Sequence, residues 1–168
     1  DPAILRPGRI DRKIKVHRPD RAGVQRIFEI YLRDQLPLAE SSSALAQAAT
    51  DALFARTDEN QFLEVLYRSG RREVLHRGDL ASGAIVAAIV ERAKSLAIRR
   101  SIQTSAETDL TREDLIQAFE MEYAENDLFP SGDITEDWLK LTDLDPDNVI
   151  RLGPVRNHAR NHPGRRII

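Results

Sequence analysis

Residues 81–101 hold the feature that most limits how this chain can fold. Every residue from Ala84 to Val90 is apolar, and neither Pro nor Gly interrupts the stretch from Ala84 to Ser101. Alanine-rich apolar sequence followed by Glu91, Arg92 and Lys94 predicts one long helix, about Ala81–Ser101, with its first half buried on most sides. Other elements must therefore wrap around it. The apolar run is far too short for the roughly 20 residues that a membrane span needs.

The surrounding sequence supplies those elements. Val24, Ile27, Phe28, Tyr31 and Leu32 fall at i, i+3, i+4, i+7 and i+8, one face of a helix from Arg21 to about Leu36. Pro37 stops it, and Ser41-Ser42-Ser43 offers an N-cap for a second helix over about Ala44–Arg56. The period then changes. Residues 61–67 and 71–76 flank Ser69-Gly70 and predict a β-hairpin. A last helix begins at Thr111, with Asp114 placed to complete a near-capping box, and runs to about Glu125. Its expected apolar face is Leu115, Phe119, Met121 and Tyr123.

The two ends read differently. Asp1–Leu5 suits the last turn of a helix stopped by Pro7-Gly8, and Lys13–His17 alternates as a half-buried strand before Pro19-Asp20. The chain opens at Asp1 inside what reads as a motif, so a piece of a longer protein is expected. After Asn126 periodicity fades, and Trp138 is the one expected anchor. The expected organisation is the end of another unit over 1–20, a helical unit over 21–126 with its hairpin at about 61–76, and a partly disordered extension over 127–168. The fold class is mainly α with a small β-hairpin.

Composition and motifs remove several chemistries. There is no cysteine, hence no disulfide framework, cysteine-ligated zinc or thiol nucleophile. His17, His76, His158 and His162 lack a metal-ligand pattern, and no metal site is expected. No Gly-x-Ser-x-Gly elbow and no phosphate-binding loop occur. Asp109, Glu113 and Asp114 read as favourable charges at a helix start. The formal charge of −2 argues for neither nucleic acid nor an anionic membrane. Arg151, Arg156, Arg160, Arg165 and Arg166 make the end basic, but without interleaved aromatics they read as a solvated tail. No charged, apolar leader is seen at Asp1, and a cytoplasmic protein is expected.

One segment has two readings from its residues alone, a solvated basic loop or a rigid turn that reaches a phosphate on another surface. In Asp1-Pro2-Ala3-Ile4-Leu5-Arg6-Pro7-Gly8-Arg9-Ile10-Asp11-Arg12, a rigid turn presents Arg6 and Arg9 three residues apart. Fixed charge and bidentate geometry suit guanidinium groups to the charge of a phosphoryl-transfer transition state. The segment closely resembles the end of the second region of homology of AAA ATPases, with conservative exchanges at Ile4 and Ile10.

That resemblance implies that Arg6 and Arg9 are catalytic arginine fingers acting in a neighbouring subunit's ATP site, with Asp11 and Arg12 supporting the turn. Tyr31 stands where AAA proteins usually have a histidine near the adenine. Ser82-Gly83-Ala84 is similar to the segment that closes over the base and ribose, so Tyr31, Ser82, Gly83 and Ala84 are the implied nucleotide contacts. Residues 59–75, 81–98 and 125–138 further resemble the actinobacterial proteasomal ATPase branch, including the hairpin inserted into its lid.

By this resemblance the chain is the last strand of a large α/β subdomain followed by a helical lid. The resemblance implies a homo-hexamer that uses ATP and Mg2+ to unfold proteins tagged with a ubiquitin-like protein and thread them into the proteasome core particle. The nucleotide-binding motifs and most Mg2+ contacts would lie upstream, and the chain alone is expected to be inactive. The family's proteasome-binding members end in a tail with a penultimate tyrosine, whereas this sequence reads Gly164-Arg165-Arg166-Ile167-Ile168. The alternatives are a non-catalytic helical interaction module, which also covers a non-proteasomal unfoldase, and a nucleic-acid-binding domain using the arginine-rich end.

Overall fold

The computed structural model describes residues 17–32, 37–125 and 148–155. Its elements are α1 (Arg21–Tyr31), α2 (Ser42–Phe54), β1 (Gln61–Tyr67), β2 (Arg72–His76), α3 (Gly83–Thr104), α4 (Arg112–Glu125) and β3 (Val149–Pro154). Short 3-10 turns at Asp58–Asn60 and Arg77–Leu80 lead into and out of the hairpin. Arg6, Arg9, the strand over residues 13–16 and Trp138 lie outside the described residues.

Each helix begins where a side chain can accept an orphan backbone N–H. Asp20 accepts from Gly23 N at 2.7 Å, Ser41 from Ala44 N at 3.2 Å and Ser82 from Ile85 N at 3.3 Å. At α4 the capping is reciprocal. Thr111 N donates to the Asp114 carboxylate at 2.8 Å, and Asp114 N donates to Thr111 Oγ1 at 3.3 Å. Helix α3 ends on Ser105 in the left-handed region (φ 52°), and Ala106 N returns to Ser101 O at 3.3 Å.

The helices share one apolar core. Val24, Phe28 and Leu32 of the α1 stripe, Leu45, Ala46, Ala49 and Leu53 of α2, and Leu115, Ala118, Phe119 and Tyr123 of α4 surround Val86, Ile89, Val90 and Ala93 of α3. None of residues 85–90 is exposed, as the near-continuous apolar run predicts. The connections before α2 and before α4 meet in a parallel bridge. Leu110 N donates to Pro37 O at 2.8 Å, and Ala39 N donates to Leu110 O at 3.1 Å.

The hairpin turns at Gly70, whose φ of +81° suits glycine. A bulge between Gln61 and Leu63 lets consecutive Phe62 and Leu63 both be buried, and Phe62 meets the Tyr123 ring edge-on at 5.7 Å. One result differs from the sequence expectation: residues 149–154, read there as part of an irregular extension, form a third strand. The sheet order is β2-β1-β3, antiparallel throughout. Val149 and Leu152 cover Val65, while Arg151 of the basic tail faces outward. Val149–Pro154 shows no clear alternation, and Gly153-Pro154 reads locally as a breaker, yet both are tolerated at the end of an outer strand. Pairing with β1, far back in the sequence, supplies the order that local propensity lacks.

Candidate functional site

The start of α3 is the implied nucleotide-facing segment that falls within the described residues. The path leading to it is tightly specified. His76 N donates to the Asp79 carboxylate at 2.8 Å, and Arg56 forks onto the same carboxylate at 2.5 and 2.7 Å. Burial works to raise the Asp79 pKa, but the Arg56 and His76 hydrogen bonds outweigh it and hold the group below the usual carboxylate range. Gly78 packs so closely that a Cβ there would lie 2.9 Å from both Leu53 O and the Phe54 ring.

Arg77 is 2% exposed. Its guanidinium lies 5.1 Å from the centre of the Phe119 ring and 5.3 Å from that of Tyr123, and it donates to Glu120 at 2.9 Å. The Tyr123 hydroxyl donates to Arg77 O at 3.1 Å, and burial pushes its pKa up. Arg18 donates through one nitrogen, Nη1, to the carbonyls of Leu80 and Ala81. The turn Arg77–Leu80 is thus held from α2, from α4 and from the segment that precedes α1.

Ser82 follows directly. Its side chain caps Ile85 N and its carbonyl accepts from Val86 N at 3.1 Å, so the first turn of α3 is well formed. The N–H groups of Gly83 and Ala84 precede any intrahelical acceptor and point out of the helix end. No heavy atom lies within 4 Å of where a Gly83 Cβ would sit, and Ala84 is exposed. The arrangement can offer backbone donors and the positive end of a helix dipole to an acceptor-rich ligand such as a nucleotide. It offers no cation cage: among the described residues no three His, Asp or Glu side chains cluster.

Tyr31 is placed differently. The buried stripe of α1 runs through Val24, Phe28 and Leu32, which leaves Tyr31 41% exposed at the last residue of the helix. It lies about 15 Å along the α1 axis from the end that Arg18 ties to Leu80 and Ala81. Ser82, Gly83 and Ala84 are adjacent by chain order, and Tyr31 stands apart from that tie. The residues that shape the approach to α3, namely Arg18, Arg56, Arg77, Asp79 and Tyr123, carry no local sequence signal. Apart from the His76 N–Asp79 bond, their partners are 23 to 63 residues away.

No helix among the described residues is long and apolar enough to cross a membrane. The ARC, AAA+ ATPase lid domain matches residues 19–168. A protein of Kocuria rhizophila called "AAA ATPase forming ring-shaped complexes" is 37% identical over 98% of this chain and 30% of its own length. "Proteasome-associated ATPase" proteins of Saccharopolyspora erythraea and Acidimicrobium ferrooxidans are 36% and 33% identical, over 99% and 100% of this chain. The chain spans about a third of the length of these relatives.

Proposed function

The chain belongs to the ARC AAA+ ATPase lid family, and from that premise we propose that it is the lid-bearing C-terminal part of a hexameric, cytoplasmic AAA ATPase. The intact protein couples ATP hydrolysis to unfolding tagged proteins and translocating them into the bacterial proteasome. The observation that carries this reading is the junction near residue 19, where the two-arginine turn motif of Asp1–Arg12 runs directly into a lid domain of this family.

In this reading the chain contributes in two places. Arg6 and Arg9 reach the neighbouring subunit's site and stabilise the charge that develops on the transferred phosphoryl group. Ser82, Gly83 and Ala84 close over the base and ribose, with Gly83 allowing close backbone approach and the α3 start supplying donors. Tyr31 packs near the base from the exposed end of α1. Bound ATP supplies the phosphoanhydride whose hydrolysis drives translocation. Residues upstream of Asp1 would hold its Mg2+.

The test is ATP turnover by the chain joined to its upstream coding sequence. Arg6→Ala or Arg9→Ala should each reduce kcat by at least about a hundred-fold while rings still assemble, in keeping with the size of arginine-finger effects. Mixed rings that combine finger-deficient subunits with subunits lacking a functional phosphate loop should regain activity, because the fingers act in trans. Turnover insensitive to both substitutions, or steady phosphate release by residues 1–168 alone, would refute the reading.

A further inference from the structure

We infer that Arg18 is a positioning residue for the nucleotide-closing segment: it ties the chain entering α1 to the two peptide units just before Ser82. Its Nη1 donates to Leu80 O and, at 3.4 Å, to Ala81 O, 62 and 63 residues further along. The inference rests on the reading that Ser82–Ala84 closes over the nucleotide.

Three observations make this contact mechanically meaningful. First, the turn it grips is stiff. Asp79 is held by Arg56 and by His76 N, Tyr123 holds Arg77 O, and Gly78 has no room beside Leu53 O. A pull on Leu80 or Ala81 is therefore passed to Ser82 and not absorbed by the turn.

Second, the other ties come from within the helical unit: Arg56 follows α2 and Tyr123 lies on α4. Arg18 sits before α1, whose N-cap is Asp20, on the segment that leads in from residues 1–16. Among the described residues it links the segment before α1 to the peptides just before Ser82.

Third, capping α3 does not need a cation there. Ser82 already satisfies Ile85 N, and positive charge beside a helix N-terminus is electrostatically unfavourable. What the guanidinium adds is a charged donor, Nη1, that bridges two successive carbonyls.

The test uses the chain joined to its upstream coding sequence. Arg18→Ala, which removes both hydrogen bonds from Nη1, should raise the KM for ATP about five-fold, while kcat changes less than about two-fold. Amide exchange should quicken over residues 80–86 and stay unchanged in the sheet. Arg18→Lys, which keeps a donor for the carbonyls, should recover most of the wild-type KM.

Arg100→Ala, which loosens the opposite end of α3, is the control. It should lower thermal stability and leave KM near the wild-type value. A wild-type KM in Arg18→Ala would overturn the inference. So would an equal rise in KM in Arg100→Ala, because that would assign the effect to general loosening. A wild-type protein without ATP turnover would instead refute the proposed function, and that outcome is visible before any variant is made.

Discussion

The two ends of α3 are built on different principles. The N-terminal end has one light cap, Ser82, and is otherwise placed indirectly, through side chains that grip the turn before it. The C-terminal end is clamped directly. Arg100 reaches both carboxylate oxygens of Asp114, one at 2.9 Å, and also donates to Asp109 O at 2.6 Å. Asp114 is 3% exposed and caps α4 as well, so one carboxylate joins two helices. The open end keeps backbone donors available to a ligand, whereas the clamped end serves stability. The physical difference is whether polar groups at a helix terminus are satisfied within the fold or left facing outward.

The largest expected effect lies at the clamped end. Asp114→Ala leaves Arg100 without its carboxylate and removes the α4 cap. It should cost about 2–3 kcal/mol in chemical denaturation, towards the lower end for broken ion pairs because Arg100 is about a third exposed. A loss below about 1 kcal/mol would erase the contrast between the two ends.

The same pair predicts a pH dependence. Burial works to raise the Asp114 pKa, but hydrogen bonds from Arg100 and Thr111 outweigh it and hold the group below its ordinary value. A carboxylate lowered on folding contributes stability that is fully present above its unfolded pKa, near 4. That contribution fades as the pH falls through the lower folded value. Asp79 behaves in the same way. Stability measured from pH 6 to pH 2 should therefore drop mainly below about pH 4, with a shallower drop in Asp114→Asn. An unchanged slope in that variant would show that the pair is not the acid-sensitive element.

Next in size is the turn before α3. Gly78→Ala places a methyl group 2.9 Å from Leu53 O, and a shift or strain of about 1–3 kcal/mol is expected. Its thermal midpoint should fall further than that of Ser82→Ala. Ser82→Ala removes a single N-cap and should cost about 1 kcal/mol. The reverse ranking would mean that Ser82, and not the turn, places the helix.

The smallest effect is expected at Ile102, 73% exposed on the last turns of α3, with Ile98 at 60% on the same face. Ile102→Lys should change stability by no more than about 0.5 kcal/mol. A much larger loss in the chain alone would reveal packing at that face.

Helix existence and order, and the caps of α2 and α4, were legible from local signals, whereas Asp20, read as the close of a strand, caps α1. Val24, Phe28 and Leu32 fall at helical spacing, Thr111 and Asp114 at capping spacing, and Ser69-Gly70 at a hairpin turn. The bounds of α3 moved by two or three residues, read as 81–101 and observed as Gly83–Thr104, whereas α1, read to about Leu36, ends at Tyr31 with its C-cap at Leu32. Asp114 was legible as a helix-start charge but not as the partner of Arg100, because that pairing depends on how α3 and α4 meet. Tyr31 shares helical spacing with the core stripe yet lies off it, since periodicity alone does not say where a stripe's edge falls.

By itself, then, the sequence determined the period of each segment and most of the places where helices start and stop. These are properties of neighbouring residues, set by backbone sterics and local hydrogen bonding. Only the tertiary structure decided that Val149–Pro154 completes the sheet, that Arg77 is buried between Phe119 and Tyr123, and that Arg18 grips the peptides before Ser82. Each of those contacts joins residues more than 40 positions apart. Its formation depends on the shared apolar core that brings them together, which no local pattern encodes.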